Sequence, residues 1–324
     1  MPIEALDVAK KLDSGMLKQY DVERSPMKAK KRHSEALIGM ESLSEIAETA
    51  LFSAHLTKNV PTSLVFIGPS GAGKSKLVMQ YQNINGSHLT TDITSSGLQE
   101  LLSNDPLGKI KFLIIPDFNV VLSHRASTLQ LTIANLLSVT SEGTVRIDDG
   151  RLKKETKHEP CGIMTAMTRD LYSLFARKWA VLGFNRRFLP IYYDYSLQTR
   201  QKINTAIMGG AVTLLQLARA AVPMPKKEVD VVINHAMGQR IQLLSDELAN
   251  NIGYIPAKRA KGEKGPHSGA RFAGKQLEFT PHLALRSMAR AHALRRGHGD
   301  VQDDDLDFLF RLIGFTRYDR PGQL

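Results

Sequence analysis

One eight-residue segment constrains the fold of this chain more than any other feature. Residues 68–75 read GPSGAGKS, which is the pattern G-x-x-x-x-G-K-[ST]. An apolar run over residues 62–67 predicts a buried strand before the segment, and KLVMQYQ predicts a helix directly after its glycines. A strand that enters a glycine-rich loop and leaves it as a helix is the setting in which this pattern binds phosphate groups.

Each part of the segment has a predicted task. Gly68, Gly71 and Gly73 let the backbone curl, so that successive N–H groups point at the β- and γ-phosphates of ATP. Lys74 supplies a positive charge, and Ser75 supplies a hydroxyl that ligates Mg²⁺. The predicted nucleotide-binding residues of the loop are Gly68, Pro69, Ser70, Gly71, Ala72, Gly73, Lys74 and Ser75.

Asp117 is the candidate for the acidic residue that such a site also needs. It follows the apolar run KFLIIP, and an acid at the tip of a neighbouring strand holds a metal-bound water and orients the attacking water. Two acids usually end this strand, but here there is one. If Asp117 holds the metal-bound water, Phe118 occupies the position of the catalytic base. If the register shifts by one, Pro116 replaces the metal acid and Asp117 becomes the base. We favour the first reading, because losing the metal acid would also weaken Mg·ATP binding, and either reading predicts slow hydrolysis.

The chain divides by pattern into three parts. Residues 1–57 predict a basic arm followed by a helix. In residues 58–196 the runs TSLVFI, HLTTDI, KFLIIP, CGIMTAMT and FLPIYY alternate with helical patterns. This alternation predicts an α/β domain with a parallel five-stranded sheet and helices on both faces. In residues 197–324 the strand-like runs stop, which predicts a C-terminal all-α domain.

Composition limits the partners and the environment. The net charge of +11 over 324 residues favours an anionic partner such as nucleic acid. Because aromatic residues make up only 6%, nucleic-acid contacts would use phosphates more than base stacking. Cys161 is the single cysteine, which indicates a reducing compartment, and no apolar run approaches the roughly 18 residues that span a bilayer. We therefore expect a cytoplasmic protein with no membrane segment.

Residues from about 60 to 315 resemble the AAA+ superfamily of ATPases. Beyond residues 68–75, CGIMTAMT ends in Thr168, which matches the family's sensor for the γ-phosphate or the attacking water; the alternative is that Thr168 only caps the next helix. Residues 183–189, GFNRRFL, match the segment from which an arginine reaches the ATP site of a neighbouring subunit. The resemblance makes Arg187 the candidate for this arginine finger, with Arg186 second.

Two further segments are similar to particular AAA+ groups. RSMARAHALRRGH, which begins at Arg286, is similar to the last lid helices of minichromosome-maintenance helicases, whose lids carry a sensor arginine. Thr280 aligns with that arginine, which leaves Arg286 as the candidate. TVRIDDGRLKKETKHE alternates like a hairpin and resembles the presensor hairpin of helicase, loader and MoxR-type proteins. The predicted nucleic-acid contacts on this hairpin are Arg151, Lys153 and Lys154.

The resemblance implies an oligomeric ATPase that binds ATP and Mg²⁺ and acts on DNA as a helicase loader, remodeller or transposition-type helper. The expected partners are DNA, further copies of the chain in a ring or filament, and a protein such as a helicase or recombinase. One alternative is a binding module in which ATP switches assembly and hydrolysis is negligible. The other is a MoxR-like protein-remodelling chaperone, for which the positive charge has no explanation.

Overall fold

A six-stranded parallel sheet forms the centre of the fold. A computed structural model describes residues 37–105, 107–148, 153–209, 222–257, 270–272 and 279–324. Its strands are β1 Ser63–Gly68, β2 Ser87–Leu89, β3 Phe112–Ile115, β4 Thr144–Asp148, β5 Lys153–Lys157, β6 Gly162–Thr168, β7 Phe188–Asp194, β8 Tyr254–Pro256, β9 Ala270–Phe272 and β10 Gly322–Gln323. Its helices are α1 Glu41–Ser53, α2 Lys74–Met79, α3 Ser95–Ser103, α4 Phe118–Leu122, α5 Ala126–Glu142, α6 Arg169–Leu182, α7 Phe184–Arg187, α8 Leu197–Met208, α9 His235–Ile252, α10 Phe279–Arg295 and α11 Asp303–Gly314. The strand order across the sheet is β10, β7, β1, β6, β3, β2.

The two faces of the sheet bury alternate residues of each central strand. In β1, Leu64 and Phe66 belong to one apolar cluster, which also contains residues of α1, α9, α10 and α11. Val65 and Ile67 belong to a second cluster, formed with α3, α5 and α6. Because side chains alternate along a strand, a strand that is covered on both faces is mostly apolar on both. The predicted α/β class with helices on both faces of a parallel sheet is confirmed.

Two details of the predicted architecture are wrong. The sheet has six strands rather than five, because Gly322 and Gln323 pair in parallel with Tyr193 and Asp194 of β7. The part after residue 196 is not purely helical, since β8 and β9 form an antiparallel pair within it. Strands β8, β9 and β10 have two or three residues each, and no alternating pattern in the sequence indicated them.

Helix α1 packs against the C-terminal helices through both apolar and charged contacts. Leu43 and Ile46 share the first apolar cluster with Leu285 of α10. Glu48 forms a short ion pair with Arg295 Nη2, at 2.7 Å. The basic arm predicted before this helix lies outside the described residues, and the boundary predicted at residue 196 stays a prediction.

The hairpin predicted before Cys161 is confirmed as the antiparallel pair β4–β5. Gly143 starts it in a left-handed conformation with φ +65°, and a Cβ atom there would lie 1.8 Å from the carbonyl oxygen of His158. Only glycine fits this close approach of two backbones. The tip, residues 149–152, lies outside the described residues. None of the described helices is both long and apolar enough to cross a membrane.

Candidate nucleotide site

Three separate parts of the chain meet at one edge of the sheet. Gly68 at the end of β1 is the register partner of Thr168 at the end of β6. On the other side of β6, Ile115 ends β3 beside Thr165, and Asp117 follows two residues later. Because the strands are parallel, their carboxyl ends share this edge, and loops at the carboxyl ends of such strands are where ligands bind in open α/β sheets. The structure therefore brings together the predicted loop, Asp117 and Thr168.

The loop after β1 has the conformation expected of a phosphate-binding loop. Gly71 and Gly73 have φ values of +73° and +69°, in the left-handed region that favours glycine. No described residue accepts a hydrogen bond from the amides of Gly71, Gly73, Lys74 or Ser75. Successive amides without an internal partner form a concave group of donors that suits an anion.

Gly68 serves the loop in a different way from the one predicted. Its φ is not positive, so it does not supply the curl. A Cβ atom at Gly68 would instead lie 2.9 Å from the ring of Tyr193, so packing excludes a side chain there.

Two tyrosines at the end of β7 hold the loop from the side. The hydroxyls of Tyr193 and Tyr195 both donate to the carbonyl oxygen of Ala72, each at 3.0 Å. Burial raises the pKa of Tyr195 to about 12, so this hydroxyl keeps the proton that it donates across the physiological range. Neither tyrosine belongs to a motif. Their place at the end of a strand that reaches the same sheet edge is the only signal in the sequence.

Lys74 places its charge inside the loop. Its side chain is largely buried, and Nζ donates a hydrogen bond to the carbonyl oxygen of Pro69. Burial lowers the pKa of the Lys74 ammonium, and the charge of Asp117 opposes that shift. Lys74 and Asp117 therefore influence each other electrostatically at this edge of the sheet. An ammonium held against the loop backbone can neutralise the charge of a polyphosphate.

One carboxylate oxygen of Asp117 makes a structural hydrogen bond, and the other makes none with the described residues. Oδ1 accepts a hydrogen bond from the amide of Asn119 at 3.0 Å and so caps α4. The Ser75 hydroxyl has no hydrogen-bond partner among the described residues. Mg²⁺ is usually held by one or two protein oxygens, with phosphate and water oxygens completing its shell. Ser75 and Asp117 fit that demand, whereas the described residues contain no group of three or more His, Cys, Asp or Glu that would form a cage for an ion.

The residue after Asp117 does not face the loop. Phe118 is fully buried, and its ring centroid lies 6.2 Å from those of Trp179 and Phe184. A side chain at position 118 therefore points into the second apolar cluster. Asp117 is the acid that the end of β3 presents to the loop.

Thr168 acts as a helix cap, which was the alternative to a sensor role. Its Oγ1 accepts a hydrogen bond from the amide of Leu171 at 3.4 Å, at the start of α6. A hydroxyl that accepts one hydrogen bond still has its own hydrogen to donate. The cap and a contact with a phosphate or water are therefore compatible.

Arg187 lies at the opposite edge of the sheet from the loop. It directly precedes Phe188, the register partner of Ser63 at the start of β1. The strand from Ser63 to Gly68 separates the two edges by about 17 Å. Arg187 Nε donates to the hydroxyl of Ser141 at 3.2 Å. Neither Arg187 nor its exposed neighbour Arg186 is placed to contact phosphates in the loop of its own chain.

The remaining predicted site residues lie elsewhere. In α10, Arg286 Nη1 lies 3.7 Å from the Cβ position of Gly238 in α9, and its charge contributes with burial to a lowered pKa of His282. Its described contacts do not include the loop. Lys153 and Lys154 begin β5, opposite Asp148 and Ile147. Arg151 and the side chains of Lys153 and Lys154 lie outside the described residues.

Neither a family model nor a curated protein matches this chain.

Proposed function

We propose that this chain binds ATP with Mg²⁺ at the 68–75 loop and is a slow AAA+ ATPase. The observation that carries the proposal is the loop itself, in which left-handed Gly71 and Gly73 leave successive amides free around the buried Lys74 ammonium. Ser75 and Asp117 would hold Mg²⁺, which supplies charge for phosphoryl transfer when it is bound. Five strands over residues 63–194 would form the core, and the helices after residue 196 would form a lid.

Slow turnover follows from the single acid at the end of β3. In a site with two acids, one holds the metal water and the other orients the attacking water. Here Phe118 is in the core, so Asp117 has to serve as metal acid or as base. Thr168, beside Gly68, would orient the attacking water or contact the γ-phosphate through its free hydrogen.

We propose that the protein acts as a homo-oligomer on DNA. Arg187 reaches an ATP site only in a neighbouring copy, because its own loop lies across the sheet. The net charge of +11 favours a polyanion, and the β4–β5 hairpin would present Arg151, Lys153 and Lys154 to it. The protein would then serve as a helicase loader, remodeller or transposition-type helper, with a helicase or recombinase as its protein partner.

The test is ATP-dependent assembly, followed by light scattering and negative-stain microscopy with and without DNA. We expect ATP to produce rings or filaments and DNA to increase their number. A chain that stays monomeric with ATP and DNA together would contradict the oligomeric proposal.

The alternatives differ in measurable ways. If ATP only switches assembly, oligomers form at normal ATP affinity while phosphate release stays at the uncatalysed rate. A MoxR-like chaperone would show turnover but no DNA affinity that falls with rising salt. The missing second acid favours the first alternative, and the positive charge argues against the second.

A further inference from the structure

A second pocket lies at the sheet edge opposite the 68–75 loop. Its volume is about 480 Å³, and it lies between the start of the sheet and helices α9 and α10. Three cationic side chains line it: Lys58, Arg186 and Arg187. No carboxylate lines it within the described part of the chain. Nor does any described acidic residue form an ion pair with these three cations.

The pocket also holds hydrogen-bond donors that the fold has set in position. Ser287 is buried, and its hydroxyl oxygen accepts from Asn59 Nδ2 and from the Thr62 hydroxyl, each at 3.0 Å. The Ser287 hydrogen is therefore left to donate. Arg187 is fixed through its Nε contact with Ser141, which leaves its two terminal nitrogens for a ligand. Oriented donors of this kind recognise an anion at little entropic cost.

Lys58 has a strained backbone at this pocket. Its φ is +51°, and it is the one non-glycine residue with positive φ in the described ranges. A lysine in the left-handed region costs free energy that the surrounding structure must offset, and such strain clusters at functional sites. The strained residue is therefore one of the three cations that line the pocket.

Part of the wall is apolar. Leu189 and Leu248 line the pocket, and Val60 and Leu283 are its exposed apolar residues. A small inorganic anion would contact only the cations. An organic anion would contact the cations with its charged group and the apolar residues with the rest of the molecule. Three unpaired cations suit a multiply charged group better than a single carboxylate.

We propose that this pocket binds the phosphate groups of a phosphate-bearing organic molecule such as a nucleotide, with Lys58, Arg186 and Ser287 as ligands beside Arg187. The phosphates could belong to a free molecule or to a nucleotide held by a second copy of the chain. The proposal does not require that the 68–75 loop binds ATP.

The test uses full-length Lys74→Ala protein, so that the loop does not contribute to the signal. Its first arm titrates this protein with tripolyphosphate and with ATP by isothermal calorimetry in low salt. Its second arm immobilises the same protein and measures capture of wild-type chain preloaded with Mg·ATP.

Each arm is repeated with Lys58→Asn and Arg186→Gln added. Asparagine tolerates the left-handed backbone, so Lys58→Asn removes the charge without adding strain. Lys202→Ala, which removes an exposed cation of α8, is the matched control.

We expect Lys58→Asn and Arg186→Gln each to weaken binding about tenfold, since each removes a charge-assisted hydrogen bond, while Lys202→Ala changes it little. A Lys58-dependent signal in the first arm identifies a free ligand, and one in the second arm alone identifies the nucleotide of a neighbour. The proposal is overturned if neither arm shows binding, or if the control weakens binding as much as the pocket variants. Binding that neither Lys58→Asn nor Arg186→Gln weakens would also overturn it, and if the bound ligand is ATP, that result would contradict the loop proposal as well.

Discussion

Two polar residues at the loop edge of the sheet each make a structural hydrogen bond and have a proposed role in binding or catalysis. Asp117 caps α4 and Thr168 caps α6, each through a side-chain oxygen. A residue pattern cannot separate a cap from a metal or phosphate ligand, because both place the same oxygen at the end of a strand. The loop glycines were easier to predict, since left-handed φ at Gly71 and Gly73 is tied to residue type. The hydrogen bond from Tyr193 to Ala72 was not predictable, as it joins residues far apart in the chain.

Substitution of Asp117 separates its two tasks. Asparagine caps a helix as well as aspartate does, so Asp117→Asn should change the free energy of unfolding by less than about 0.5 kcal/mol. It removes the charge for Mg²⁺, so affinity for Mg·ATP should fall at least tenfold while affinity for ATP in EDTA changes little. Asp117→Ala should in addition lose about 1 kcal/mol of stability with the cap. Equal Mg·ATP affinity in wild type and Asp117→Asn would remove Asp117 from the metal site.

At the scale of elements, long apolar segments were predictable and short pairings were not. The runs that predicted β1, β3, β6 and β7 succeeded because a strand buried on both faces has few polar positions. The pair β8–β9 and strand β10 depend on tertiary contacts alone. No pattern in the sequence predicted that Glu45 connects α1 to α10 and α11. Its hydrogen-bond partners, His292 and Arg311, are more than 240 positions away.

The ion pairs of Glu45 predict a pH dependence of stability. Burial raises the pKa of Glu45, but the hydrogen bond from His292 and the charge of Arg311 outweigh it, and the pKa falls from its usual 4.5 to about 2. A carboxyl whose pKa is lowered on folding stabilises the fold above its unfolded pKa, and this contribution is lost as the pH falls toward the folded pKa. Wild type should therefore exceed Glu45→Gln in unfolding free energy by about 2 to 3 kcal/mol at pH 7, and by almost nothing near pH 2.

Chemical denaturation at a series of pH values checks the Glu45 prediction. Glu41→Gln, at the exposed first residue of the same helix, is the control and should follow wild type. A stability difference between wild type and Glu45→Gln that does not vary with pH would contradict the prediction.

The β4–β5 hairpin can be tested as one element. For each cation that no longer neutralises a DNA phosphate, the slope of log K against log salt should fall by about 0.7 on single-stranded and 0.9 on double-stranded DNA. Replacing Arg151, Lys153 and Lys154 with alanine should weaken DNA binding and flatten its salt dependence together. Fluorescence anisotropy of a labelled oligonucleotide with ATP, across a salt series, measures both. An unchanged slope with assembly intact would place the DNA-binding surface outside the hairpin.

At the scale of the whole molecule, the two candidate sites lie on opposite edges of one rigid sheet. An interface between the loop of one copy and Arg187 of another joins unlike surfaces. Unlike surfaces repeat head to tail, which generates rings or filaments rather than a symmetric dimer. If that interface forms, we expect the protein to assemble as a ring or a filament.

Arg187→Ala tests this arrangement. Because Arg187 lies about 17 Å across the sheet from its own loop, monomer affinity for ATP should change less than twofold. ATP-dependent assembly or turnover should fall strongly, by tenfold or more, if the arginine completes a neighbour's site. Lys178→Ala, on the exposed side of α6, is the control. Equal assembly by Arg187→Ala and wild type, measured by light scattering, would discard the finger assignment.

The most direct measurement of the central claim is the thermal stabilisation of wild type and Lys74→Ala by Mg·ATP. The lysine side chain lies in the loop and donates to Pro69, so the substitution should leave the fold and its melting temperature without nucleotide nearly unchanged. A ligand that binds only the folded state stabilises it by about 2.7 kcal/mol at one hundred times its Kd. Wild type should therefore melt several degrees higher with saturating Mg·ATP, and Lys74→Ala should shift only by what the pocket lined by Lys58 contributes, which Lys58→Asn removes. Equal stabilisation of the two proteins would show that the 68–75 loop is not the ATP site.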